Sequence, residues 1–131
     1  MKSDFESQQK IFFSCAAVSG FLVVSLGAFA AHALSPQIPP ESRELLQTGI
    51  KYQMFHTLVL GLIALIKEDS FQSWTSAAGW FFIAGMILFS GSLYALAFSG
   101  ARIWGAVTPL GGICFLVGWV ILFFGNQKNR S

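Results

Sequence analysis

The chain has 131 residues, of which 54% are hydrophobic, 15% aromatic and only 11% charged, a balance that a water-soluble domain of this length would struggle to keep in solution. Eight Lys and Arg against six Asp and Glu leave a formal charge of +2, small and dispersed, which argues against a nucleic-acid partner and gives no sign of a phosphate site. The composition implies an integral membrane protein.

The opening residues up to Gln9 are polar, and residues 11–33 then form an uncharged run of 23. As a helix rising 1.5 Å per residue this run would be about 35 Å long, enough to cross a hydrocarbon core of roughly 30 Å. A secretory signal is the competing reading, because Lys10 precedes the run and Ala28-Phe29-Ala30 imitates a cleavage site. The run is long for a signal and further apolar runs follow, so the helix is expected to be retained. Pro36, Pro39 and Pro40 then impose a loop, since each removes a backbone donor and restrains the residue before it. Residues 41–50 carry acidic groups in their first turn and apolar residues on one side, which reads as an interfacial helix leading into a second span over 49–66. That span is the least apolar of the set, ends in Lys67-Glu68-Asp69, and is expected to be shielded from lipid by its neighbours.

A third span covers 74–98 and, after Gly100-Ala101-Arg102, a fourth covers 103–124, with a polar tail from Asn126. Trp74, Trp80, Trp104 and Trp119 fall mostly near segment ends, where amphipathic rings favour the headgroup region. No internal repeat is evident. The expected fold is all-α: one integral membrane domain over 1–131, built as a four-helix transmembrane bundle. With four spans, Lys2, Lys10, Lys67, Lys128 and Arg130 share one side and Arg43, Lys51 and Arg102 the other, so the basic excess places the N- and C-termini in the cytoplasm.

This topology gathers polar residues in the outer half of the bundle. His32 ends the first span, Tyr52, Gln53 and His56 open the second, Ser90, Ser92 and Tyr94 lie in the outer half of the third, and Thr108 stands near the start of the fourth. Tyr52 and His56 share a helix face by their four-residue spacing, as do Ser90 and Tyr94. These eight residues form the candidate polar cluster or ligand pocket. Small pairs four apart (Ala16 and Gly20, Gly27 and Ala31, Gly91 and Ala95) favour close helix packing, and Gly111 and Gly112 after Pro109 mark a kink or a tight crossing. Cys15 and Cys114 stand at depths that differ by about 8 Å, which disfavours a disulfide.

Four stretches in order, Gly27-Ala28-Phe29-Ala30-Ala31-His32-Ala33-Leu34, Tyr52-Gln53-Met54-Phe55-His56, Phe89-Ser90-Gly91-Ser92-Leu93-Tyr94 and Gly105-Ala106-Val107-Thr108-Pro109-Leu110-Gly111-Gly112, make the chain resemble the family catalogued as domain of unknown function 423 (DUF423). Its eukaryotic relatives are called transmembrane protein 256. The resemblance implies a small four-helix protein of the bacterial cytoplasmic membrane and no established activity, so it transfers no catalytic residues.

Function is therefore read from the polar cluster. His32 and His56 could serve as axial ligands to a b-type haem, or with Tyr52 or Tyr94 hold a metal, which would make the protein an electron carrier. The simpler expectation is no cofactor, with the histidines hydrogen-bonded inside the bundle, because a polar group in hydrocarbon must be satisfied internally and neither a third histidine nor an intramembrane carboxylate completes a site. The missing carboxylate also weakens a proton-coupled transporter. A pocket for a quinone or lipid headgroup is the remaining ligand reading, since Tyr, His, Ser and Thr amid aromatics suit such a lining. Catalysis finds little support: Ser90 and Ser92 lack the strand-to-helix turn that exposes a serine nucleophile, and no acid stands ready to orient a histidine base. The chain reads as a small structural or accessory membrane component, with membrane lipids and either a second copy or another membrane protein as its partners.

Overall fold

The computed structural model describes residues 2–34, 36–66 and 73–128, and within these every regular element is helical. The charged residues Lys67-Glu68-Asp69 and the last basic residue, Arg130, lie outside the described residues. Helix α1 (Lys2–Phe29) runs on through a π-helical turn, Ala30–Leu34, whose last carbonyl accepts the backbone N–H groups of Gln37 and Ile38 at 2.8 and 3.1 Å. Helix α2 (Pro40–Ala64) starts with proline at its first position, where the missing N–H is no loss, and carries Glu41 in its first turn. The expected interfacial segment and the second span are thus one unbroken helix.

Helix α3 (Ser73–Gly85), a second π turn (Met86–Ser90) and α4 (Gly91–Ser99) follow one another without a break, as a single rod of 27 residues. The rod ends at Gly100, whose φ of 69° is left-handed and whose N–H caps the Leu96 carbonyl at 2.8 Å, the closure that glycine makes without steric strain. Helix α5 (Ile103–Lys128) continues through Pro109. Three of the four rods, Ser3–Leu34, Ser73–Ser99 and Ile103–Lys128, are long and apolar enough to cross a membrane; α2, with its charged N-terminal half, falls short of that criterion by composition.

Helix α1 packs along α2, α2 packs on α4 and the second π turn, and α5 packs on the whole α3–α4 rod. Cross-contacts fix the register of the first pair. The Gln9 side chain donates to the Ile66 carbonyl, a Cβ on Gly61 would lie 3.9 Å from Ala16 Cβ, Ser19 meets Thr57 at 2.6 Å, and Ala30 and Ala31 line one cleft with Gln47 and Ile50. Hence α2 runs antiparallel to α1 along nearly its full length. Ser76 donates to Gln8 and the Trp74 ring lies against Gly125, so the start of α1, the end of α2, the start of α3 and the end of α5 share one end of the bundle.

The surface is inverted relative to a water-soluble domain. Phe21 and Val24 are 72% exposed and Leu65 is 70% exposed, while Gln53, Thr57, Ser90 and Ser92 are buried. Such an apolar exterior over a polar-studded interior is what a bilayer favours, because lipid solvates the phenylalanines and inward hydroxyls and amides such as Ser19, Gln53 and Thr57 reach partners on other helices.

Aromatic rings seated on glycines hold the rods together. Phe12 of α1 lies 2.6 Å from where a Cβ on Gly79 would be, and Phe82 of α3 stands equally close to that of Gly118 on α5. Phe115 likewise occupies the Cβ position of Gly85, and the Phe89 backbone occupies that of Gly111, so Gly111 marks a tight helix crossing within a continuous helix. Gly27 and Gly91 have no atom within 4 Å of a Cβ, and at Gly112 the nearest is at 3.9 Å. Among the other small positions singled out from sequence, Ala31 is exposed and Ala95 half-buried.

Candidate functional site

The eight polar residues expected to converge are divided by the helix rotations into separate groups. The largest runs from α4 through α2 to α1. The Tyr94 hydroxyl donates to Gln53 Oε1 at 2.7 Å, Gln53 Nε2 donates to Ser19 Oγ at 3.0 Å, and Ser19 shares a 2.6 Å hydrogen bond with Thr57. Both hydroxyls also lie within reach of Met86 Sδ, at 3.8 and 3.6 Å, on the second π turn. Beside this chain, Ser90 Oγ donates to the Gly49 carbonyl at 2.7 Å, and the Tyr94 ring packs 2.6 Å from the Cβ position of the same glycine.

A second group ties α4 to α5. Ser92 Oγ and Thr108 Oγ1 stand 2.6 Å apart, with the Phe89 carbonyl 2.9 Å from Ser92 and the Trp104 carbonyl 3.1 Å from Thr108. Each hydroxyl carries one proton, so one donates across the interface while the other donates to a carbonyl of its own helix.

His56 forms the third group, in an aromatic setting. Its ring stacks on Phe115 with centroids 3.6 Å apart and planes 8° from parallel, and Phe115 in turn rests on Gly85. Trp119 Nε1 stands 3.2 Å from His56 Nε2, and His56 Nδ1 stands 2.8 Å from the Tyr52 carbonyl one turn earlier. An indole N–H only donates, so Nε2 accepts and the proton sits on Nδ1, from which it is donated to the carbonyl. Both ring nitrogens are committed. Tyr52 itself is 43% exposed and packs its ring over Phe89, with centroids 4.7 Å apart. Together with Phe55, His56, Phe115 and Trp119 it borders a cleft of about 450 Å³ between α2 and α5.

His32 joins none of these groups. It is exposed on the π turn that ends α1, whereas the His56 ring faces α5, and α1 packs on α2 and α3. The two histidines therefore sit on different sides of α2, and with the His56 lone pair engaged by Trp119 they do not fit a bis-histidine haem site. Among the described residues no group of three or more His, Cys, Asp and Glu side chains could hold a metal ion. Cys15 and Cys114 are unbonded, half-buried thiols.

Sequence reasoning passed over Ser19, Thr57, Met86 and Phe115, and read Trp119 among the headgroup-seeking rings near segment ends rather than as the donor to His56. Thr57 was within reach of it, since its four-residue spacing from Gln53 puts both on one face of α2. Ser19 was not, because Ser14 and Ser25 interrupt the same apolar run and a helix apolar all round carries no stripe to say which face turns inward.

These stretches match the family described as "Protein of unknown function (DUF423)" over residues 26–112. The chain belongs to that family. It is 44% identical to a UPF0382 membrane protein of Haemophilus influenzae over 117 residues, which cover 88% of this chain and 92% of that one. It is also 44% identical to the UPF0382 inner membrane protein YgdD of Escherichia coli K12 over 115 residues, 88% of each chain, and 40% identical to the UPF0382 membrane protein YwdK of Bacillus subtilis over 120 residues, 91% of this chain and 98% of that one. No solved structure matches the chain. This DUF423 protein is a small multi-pass protein of the inner membrane, as the naming of its relatives and its apolar helices agree.

Proposed function

We propose that this DUF423 protein is a non-catalytic structural or accessory component of the membrane, in which the conspicuous polar residues fasten helices to one another and the outward faces meet lipid and partners. The observation that carries this reading is the full engagement of His56, with Nε2 accepting from Trp119 and Nδ1 facing the Tyr52 carbonyl. A histidine so held cannot ligate an iron or relay a proton without first losing one of those bonds. Ser90, Ser92 and Thr108 are spent in the same way, on carbonyls and on one another.

The same reading has all four rods crossing the bilayer. Helix α2 is too charged at its start to qualify by composition, but its register against α1 supports a full crossing, because a partner aligned along α1 must share the depth of α1. Both termini then lie on the side richer in Lys and Arg, the cytoplasm.

The test is an oxidised and reduced ultraviolet-visible spectrum of the protein purified in mild detergent after expression with ample haem, beside His32→Ala and His56→Ala. The expected spectrum shows protein absorbance alone in all three. A Soret band in the parent that disappears in both variants would overturn the reading.

A further inference from the structure

Between α1 and the α3–α4 rod lies a cleft of about 550 Å³, distinct from the one beside His56, with Leu22, Met86 and Ile87 among its walls and Ser19, Gln53 and Tyr94 among its lining. It reaches from Ser14 to Leu26 along α1, about 18 Å at 1.5 Å per residue, and so runs along the bundle rather than across it. Its walls are what any lipid-facing groove would offer. The polar lining is different.

A carboxamide carries two N–H donors and a carbonyl acceptor. Gln53 uses the carbonyl on Tyr94 and one donor on Ser19, and its second N–H has no partner among the described residues. Gln53 is 7% exposed. A water-soluble protein would leave such a donor to water, but a bilayer core supplies no acceptor, so the open N–H calls for one carried by a bound molecule.

Depth narrows what that molecule is. Thr57 stands within about 1 Å of the middle of the 49–66 span and Gln53 about 7 Å from it, which leaves the amide roughly 8 Å inside a hydrocarbon core whose half-thickness is about 15 Å. Phospholipid headgroups and their ester carbonyls belong to the interfacial region outside that core. A neutral ring ketone on an apolar tail can enter the core, with its carbonyl as acceptor and its tail along the cleft.

We infer that the α1/α3–α4 cleft is a binding site for a quinone-type molecule, whose carbonyl accepts from Gln53 and whose tail lies against Leu22 and Ile87. This goes beyond the fastening role and adds a ligand to it. It rests on the reading that α1 and α2 cross the hydrocarbon side by side, which cysteine accessibility at the ends of the bundle tests without any ligand.

Gly91 supplies the probe. It lines the cleft and a Cβ there would meet no atom within 4 Å, so a larger side chain at this position starts from open space in the cleft. Gly27, equally open but outside the cleft, supplies the control. The full-length protein in phospholipid nanodiscs is photolabelled with an azidobenzoquinone bearing a decyl tail, the labelled residues are mapped by mass spectrometry, and a diazirine-bearing alkane without a headgroup is run in parallel. Quinone label is expected within 14–26 and 83–94, lowered about tenfold or more in Gly91→Phe and in Gln53→Leu, and unchanged in Gly27→Phe. Should Gly91→Phe lose its helical circular dichroism, Gly91→Met takes its place. Label spread evenly over the lipid-facing helices, label concentrated beside His56, or label unmoved by filling the cleft would overturn the inference. An alkane that marks the same residues as strongly would overturn it too, by showing a groove for acyl chains alone.

Discussion

Trp119 of α5 donates its indole N–H to His56 Nε2 of α2 at 3.2 Å, and with that bond the histidine becomes part of the packing between the two helices. Trp119→Phe keeps a ring there and removes the donor, leaving a buried acceptor unpaired at a cost of about 1–3 kcal/mol. The loss is expected in reversible SDS unfolding followed by circular dichroism. Combined with His56→Phe, the second substitution should add less than its separate effect, by about 0.5–1 kcal/mol or more. Strict additivity would show that the two residues do not act together.

The glycines divide into two kinds by what a Cβ would meet. Gly85→Ala drives a methyl into the Phe115 ring and Gly118→Ala drives one into Phe82, and each is expected to destabilise by about 1–3 kcal/mol. Gly91→Ala and Gly27→Ala enter open space and should be neutral or gain up to about 1 kcal/mol from helix propensity. Equal effects at all four positions would refute the seating of aromatic rings on glycine as the basis of packing.

Ser19 accepts from Gln53 and shares a hydrogen bond with Thr57, so one atom joins two side chains of α2 to α1. Interhelical hydrogen bonds in membrane proteins contribute about 0.6 kcal/mol on average and up to about 1.7. Ser19→Ala is expected near the upper figure. Ser14→Ala and Ser25→Ala, at exposed positions of the same helix, should leave the unfolding curve in place.

Topology is read with single cysteines on a background where Cys15 and Cys114 are replaced by Ala. Gln37→Cys and Arg102→Cys are expected to react with a membrane-impermeant maleimide in intact cells, and Ser7→Cys and Gln127→Cys only after lysis. Labelling of Gln37→Cys and Ser7→Cys from one side would mean that α1 does not cross. Labelling of Ser7→Cys and Gln127→Cys in intact cells would reverse the orientation and leave the four crossings intact.

The membrane setting and the helical class were legible in the chain itself, because each is a local property. Residues 11–33, 74–98 and 103–124 are apolar and long enough to declare themselves, and Pro36 and Pro39 break the chain into separate helices before Pro40 opens the next. What the chain could not state is the rotation of each rod about its own axis. An amphipathic helix announces its inward face, but the uncharged stretches of α1 and α5 are apolar on nearly every side, and many rotations bury equal amounts of hydrocarbon. The tertiary structure made that choice through close packing. Rings seated on Gly79, Gly85 and Gly118 set the rotations, and these turned Ser19 inward, left Gly27 and Gly91 open, and directed His56 toward Trp119 and away from His32.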